Sequence, residues 1–381
     1  MKTLSIEKEL SLAAIERHLK ELTKSEETKL RLPNKIKYSG GFGTEAALTQ
    51  LIATWARNQK EPTFHTYVDP NEKQKGFSSL CESFYGMAAL ALSRKILCLD
   101  GTTQVHKSES LQAAVPRIVA LKNLELANTF KGFKVDFPCI KSGSFSGLIE
   151  PLYNNEKIVN QTRFEEIIEK SIESIAPQKT TNWAINKDLT SKISQATRQL
   201  FINTDEHARH DESGDEYSRD ARGILLKVTN HKKAEALRIA DQNSTLKSYF
   251  NTIFENIGID THLRFLEITV LDSGPGFSGR WLRKNSTSID HDIEVKAILN
   301  CFEKHSSSKS SPSSGIGLDI VLNILSELNG WFRLRTGNTI VEKAFTSNLK
   351  SYHVTRDDIK EAGAHTYGSV FTFIIPLFKN N

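Results

Sequence analysis

Cysteine is scarce in this chain of 381 residues: there are four, at positions 81, 98, 139 and 301, too far apart for any paired metal-ligand spacing. That spacing excludes a zinc ribbon and a disulfide framework and suits a reducing cytoplasm. Long apolar runs are missing too. The best of them, Gly86 to Leu92, stops at Arg94 and Lys95, far short of a membrane span. Met1 to Leu22 reads as a charged amphipathic helix, so no secretory leader is expected there. Charge of neither sign dominates. The formal net charge is +5 and the basic residues are spread along the chain, which leaves nucleic-acid binding without support. Phosphate-loop spacings are absent as well. Ser39 to Thr44 (SGGFGT) has neither G-x-G-x-x-G nor a Gly-Lys-Ser/Thr ending, and reads as a tight turn that caps a helix.

What is present points to an α/β protein of two domains behind an N-terminal helix, residues 1–30. Residues 31–150 alternate strand and helix signals: strand Leu32 to Tyr38, helix Thr44 to Arg57, strand Thr63 to Val68, helix Phe77 to Leu92, strand Lys95 to Leu99 and helix Ser108 to Leu121. Phe133, Phe137 and Phe145 follow as core or hairpin residues. A helical linker or dimer contact is expected over 151–187, with an amphipathic helix from Arg163 to Ile175. The second domain spans 188–381.

Three short motifs in that second domain carry the chemistry. Asp272 ends an apolar run, Phe265 to Leu271 (FLEITVL), and precedes Ser273, Gly274, Pro275 and Gly276. A carboxylate at a strand end, where glycines let backbone come close, can accept a hydrogen bond from the exocyclic amine of adenine. An ordinary Asx turn uses the same residue types. Further on, His305 to Ser314 (HSSSKSSPSS) leads into Gly315, Gly317 and Leu318, which open the apolar helical run Ile316 to Leu328. A polar lid feeding a helix start offers free N–H groups and a positive dipole end to phosphate, with Lys304 and Lys309 close by. A flexible Ser-rich linker is the plainer reading of that stretch. Earlier, the helix Leu189 to Ala208 carries Asn203, whose amide oxygen suits magnesium already held by phosphate oxygens.

In this order and spacing, LFINTDEHA (200–208), LDSGPGF (271–277) and SSGIGLDIV (313–321) resemble the Asn-bearing box and the two glycine boxes of the GHKL superfamily, the ATP-binding proteins that include gyrase-type topoisomerases, heat-shock chaperones, histidine kinases and mismatch-repair ATPases. The likeness covers about residues 180 to 378. It implies a two-layer α/β sandwich of the Bergerat type, with helices on one face of a mixed sheet and ATP under a lid. By the same resemblance Asp272 binds adenine, Gly274 and Gly276 shape its pocket, Asn203 holds Mg2+, and Gly315, Gly317 and Leu318 with Lys309 meet the phosphates. Ser369 opens the last strand, Gly368 to Leu377, where the family usually has Thr.

Two departures narrow the branch. The hydrolytic members carry a Glu four residues before the Asn as general base, and this chain has Gln199, an amide that positions water without taking its proton. Glu206 and His207 stand nearby as substitutes, although Asp205, Glu206 and His207 also read as a solvated helix end. No histidine lies between His106 and His207, which argues against an ordinary sensor histidine kinase. No transducer domain is expected after Asn381. The layout implied is that of an anti-sigma-factor-type ATP domain: a cytoplasmic Mg-ATP switch or kinase that meets a protein partner in bacterial signalling or antiviral defence. An ATPase subunit of a larger DNA-processing or anti-phage complex is the alternative.

Overall fold

The structure, a computed structural model of the chain, describes residues 2–24, 27–38, 42–129, 132–143, 145, 149, 151–176, 185–240, 243–255, 262–303, 317–346 and 351–378. Two five-stranded sheets organise these residues. In the first half of the chain the elements are β1 (Lys2–Ser5), β2 (Glu9–Leu10), α1 (Leu12–Leu22), β3 (Thr28–Arg31), β4 (Lys37–Tyr38), α2 (Thr44–Asn58), β5 (Thr63–His65), α3 (Lys73–Cys81), α4 (Phe84–Leu92), β6 (Lys95–Leu97), β7 (Gln104–Val105), α5 (Lys107–Gln112) and α6 (Val115–Lys122). Strands β1, β3, β5 and β6 pair in parallel in that order, and β7 closes the edge antiparallel to β6.

The second half contributes β8 (Lys134–Ser142), the short hairpin β9 (Tyr153–Asn154) and β10 (Lys157–Ile158), α7 (Gln161–Ile175), α8 (Lys187–His207), β11 (Arg219–His231), α9 (Lys233–Ile239), α10 (Ser244–Glu255), β12 (Leu263–Leu271), α11 (Gly276–Leu282), α12 (His291–Phe302), α13 (Gly317–Glu327), β13 (Trp331–Ala344) and β14 (Ile359–Leu377). Its sheet runs β13-β14-β12-β11-β8. Every described pairing in it is antiparallel, so the mixed sheet expected here is found instead in the N-terminal half.

Both faces of the antiparallel sheet are covered. Helices α7, α8 and α13 pack on one face, and a core containing Phe164, Ile193, Phe201, Ile268, Leu322 and Phe373 fills the gap. Helices α1, α2 and α4 lie against the other. There one buried cluster runs from Leu30 and Phe64 of the parallel sheet, through Leu51, Trp55 and Leu90, to Ile140, Leu271 and Val370 of the antiparallel one. This double cover explains why β12 is apolar almost throughout rather than alternating: all but one of its residues are buried.

Several sequence boundaries move for physical reasons. Residues 1–30 are not a leading helix. Lys2–Ser5 forms an edge strand that buries Leu4 and pairs with β3, and the helix begins only at Ser11, whose hydroxyl accepts from the Ala14 N–H. Of the strand expected at Leu32 to Tyr38 only Lys37–Tyr38 is strand; β3 ends before it at Arg31, and Pro33, which has no N–H to donate, lies in the break. The helix Phe77 to Leu92 is broken at Ser83, which caps α4 through Gly86 N at 3.1 Å. Most consequential, residues 31–150 do not stay in one layer. Strand β8 joins β11 of the C-terminal sheet and sends Val135, Phe137 and Cys139 into its core. Phe145 packs on the inter-sheet cluster, and Phe133 is 67% exposed. Helix α7, expected as a linker, buries Phe164, Ile167, Ile168 and Ile172 against α8 and its sheet. No helix among the described residues is long and apolar enough to cross a membrane.

Candidate functional site

One cavity, with about 920 Å³ of empty space including its opening to solvent, lies between α8, the β12–α11 turn, α13 and the start of the last straight run of β14. Asn203 and His207 from α8, Asp272 and Gly276 from the turn, Gly317 and Leu318 from α13, and Ser369 from β14 all line it. Members of the three sequence motifs and of the final strand therefore share one wall space.

Asp272 is 7% exposed. Its N–H donates to the Ser369 carbonyl at 3.0 Å, and one carboxylate oxygen accepts from Gly274 N at 2.9 Å, an Asx-type closure of the turn. Burial raises its pKa to about 6, against the lowering effect of the Gly274 and Ser369 backbone hydrogen bonds. Gly274 is pressed against the end of α8: a Cβ there would lie 2.6 Å from the Ala208 Cα. Gly368, at φ +74°, completes the junction. Its N–H donates to the Gly274 carbonyl at 2.6 Å, and a Cβ would meet the Asp272 carbonyl oxygen at 2.0 Å. Ser369 Oγ lies 3.2 Å from Thr336 Oγ1, which also accepts from the Phe277 N–H at 3.1 Å. The hydroxyl at 369 thus joins β14 to β13 and α11.

On the opposite wall, Gln199, Asn203 and Gly317 meet. An added Cβ on Gly317 would lie 3.2 Å from Gln199 Oε1 and 3.9 Å from Asn203 Oδ1. Gln199 meets Gly317 but is not among the residues that line the cavity. Of the two substitutes for a catalytic carboxylate, His207 lines the cavity, whereas Glu206 is exposed and does not. Asp205, read with them as a solvated helix end, instead accepts from Arg222 Nη1 at 2.8 Å and from the Tyr153 hydroxyl at 2.9 Å; Arg222 is 1% exposed. Gly315, Lys309, Lys304 and the lid Ser306 to Ser314 lie outside the described residues.

The cavity also uses residues that the motif reading passed over. Phe277, Arg280 and Trp281 project from α11, and Cys301 and Phe371 complete the lining. The signal was available: positions 277, 280 and 281 have i, i+3, i+4 spacing directly after the Asp272 turn, so one helical face carries two aromatic rings and a guanidinium. Arg280 is the arginine of the lining. Burial pushes the Cys301 thiol up to about 12, so it contributes shape rather than reactivity.

No family model, no curated protein and no solved structure matches this chain. Among the described residues no group of three or more His, Cys, Asp and Glu side chains could hold a metal ion. A divalent ion here would need the oxygens of a bound phosphate, with Asn203 as its protein ligand, a pattern that magnesium accepts.

Proposed function

We propose that this cavity binds an adenine nucleotide with magnesium and that the protein is a nucleotide-dependent switch of the GHKL type. The observation that carries this reading is the convergence of Asn203, Asp272, Gly276, Gly317 and Ser369, from four separate chain segments, on one cavity lined by a buried carboxylate and by the first residues of α13. Asp272, ionised at neutral pH, accepts a hydrogen bond from the exocyclic amine of the base, and Phe277 and Phe371 supply apolar faces beside it. Arg280 and the positive dipole end of α13 attract phosphate. Magnesium, when bound, neutralises phosphate charge; Asn203 holds it.

Gln199 favours a switch or a kinase over a fast hydrolase. An amide beside Asn203 orients water without removing its proton, and the carboxylate Glu206 is turned away from the cavity. Binding is tested by titrating the protein with a non-hydrolysable ATP analogue, with and without magnesium. Product analysis after long incubation with ATP separates a switch from an ATPase. Bacterial signalling or antiviral defence through a protein partner is the setting that suits such a device.

A further inference from the structure

Helix α2 lies on the side of the antiparallel sheet away from the cavity, yet its polar side chains reach through to the cavity's own turns. Gln50 is 1% exposed, and its amide nitrogen donates to the Gly368 carbonyl at 3.1 Å, the Arg335 carbonyl at 3.0 Å and Thr366 Oγ1 at 3.2 Å. Gly368 is therefore gripped from two sides, since its N–H is the group that bonds Gly274. One turn on, Thr54 Oγ1 accepts from the Tyr367 N–H at 3.0 Å. Further along the same face, Arg57 donates through Nε to the Ser273 carbonyl at 3.2 Å and through Nη2 to the Arg219 carbonyl at 3.0 Å. Its guanidinium carbon sits 3.5 Å from the Tyr217 ring centre. Positions 50, 54 and 57 share a helical face. All three bond backbone within two residues of Asp272 or Ser369.

The rest of α2 belongs to the other layer. Trp55 Nε1 donates to the Thr28 carbonyl of β3 at 2.7 Å, and Leu48, Leu51 and Ile52 are fully buried in the inter-sheet cluster. Packing alone would need only apolar side chains on this helix. Instead, buried polar groups are satisfied by the peptide units that carry the candidate base-binding residues, and any shift of one side orphans donors on the other.

We infer that Gln50 and Arg57 are positioning residues for the nucleotide cavity, and that through them α2 couples occupancy of the cavity to the N-terminal α/β layer. The inference rests on the nucleotide reading above. Coupling of this kind is reciprocal: whatever binds the N-terminal layer and moves α2 changes nucleotide affinity, and nucleotide changes the affinity for that partner by the same factor.

The test is hydrogen exchange on the full chain with and without a non-hydrolysable ATP analogue and magnesium, joined to binding titrations of Gln50→Met and Arg57→Ala. Nucleotide slows exchange in α2 of the unsubstituted protein, and each variant loses about tenfold or more in affinity while Arg57→Lys recovers part of the loss. The exchange measurement needs no variant to fold. Nucleotide binding that depends on Asp272 but leaves α2 exchange unchanged, with both variants within about twofold of the parent, overturns the coupling and spares the nucleotide reading. No binding by the unsubstituted protein removes that reading and the coupling with it.

Discussion

The carbonyl of Gly274 accepts the backbone N–H of Gly368 at 2.6 Å, which clamps the turn after β12 to the turn that begins the last run of β14. Asp272 and Ser369 owe their nearness to that clamp, and Gly368 can serve in it only because it lacks a side chain. Gly368→Ala is expected to cost about 3 kcal/mol or more, from positive φ combined with a clash against the Asp272 carbonyl. Urea denaturation measures it. A midpoint equal to the parent's would show that the junction relaxes freely.

Asp272 gives a signed pH dependence. Its folded pKa, about 6, stands above the ordinary carboxylate value of 3.8, so its ionisation opposes folding. The stabilising effect of its protonation is fully present below about pH 3.8 and is lost as pH rises through 6, a difference on the order of 3 kcal/mol. Asp272→Asn keeps an acceptor for the Gly274 N–H and removes the charge. The variant is expected to be more stable than the parent at pH 7.5, with the gain vanishing near pH 4. Thermal melts of both proteins across that range decide it, and a gain that does not change with pH contradicts the assignment.

Arg222 of β11 and Asp205 of α8 form a buried ion pair at 2.8 Å. Asp205→Ala leaves a guanidinium that is 1% exposed with its remaining carboxylate, Asp220, at 3.7 Å, and also removes the acceptor of the Tyr153 hydroxyl. A loss of about 3 kcal/mol is expected in denaturant titration. Glu206→Ala, one residue away but exposed, is expected to change stability by less than about 0.5 kcal/mol.

The contrast between those neighbours shows how far the sequence reaches. The helix and its face were legible from periodicity, because α8 is amphipathic, although it begins at Lys187, two residues before the expected Leu189, behind an Asn186 cap. Which of Asp205, Glu206 and His207 faces inward was not, since the Arg222 that claims Asp205 arrives on β11 from a distant part of the chain. The three motifs are legible because turn and helix-start chemistry is local; the shared face of Phe277, Arg280 and Trp281 is legible too, but that this face turns into the cavity follows only from how α11 packs against β13 and β14. Strand β8 was placed in the wrong layer for a similar reason. A strand buried on both faces carries no alternation that names its partners, and only pairing with β11 assigns it. The partners of Gln50 and Arg57 on α2 include backbone carbonyls across the sheet, more than 200 positions away in the chain, and no local pattern in the sequence names them.

Gln199 sets the expected chemistry. With the Gln199 side chain near Gly317, Gln199→Glu places a carboxylate where the proposed GHKL-type reading expects a general base. ADP formation is expected to rise by about 10²-fold or more over the parent. Steady-state product analysis tests this, and an unchanged rate would mean that position 199 does not address the reacting water.

The central claim is that Asp272 anchors an adenine nucleotide, and calorimetric titration of the parent and of Asp272→Ala with ATP and magnesium tests it most directly. Magnesium-dependent binding by the parent, weakened about tenfold to more than a hundredfold in the variant, is the predicted result. Equal affinities, or no heat of binding from the parent with or without magnesium, would contradict the account.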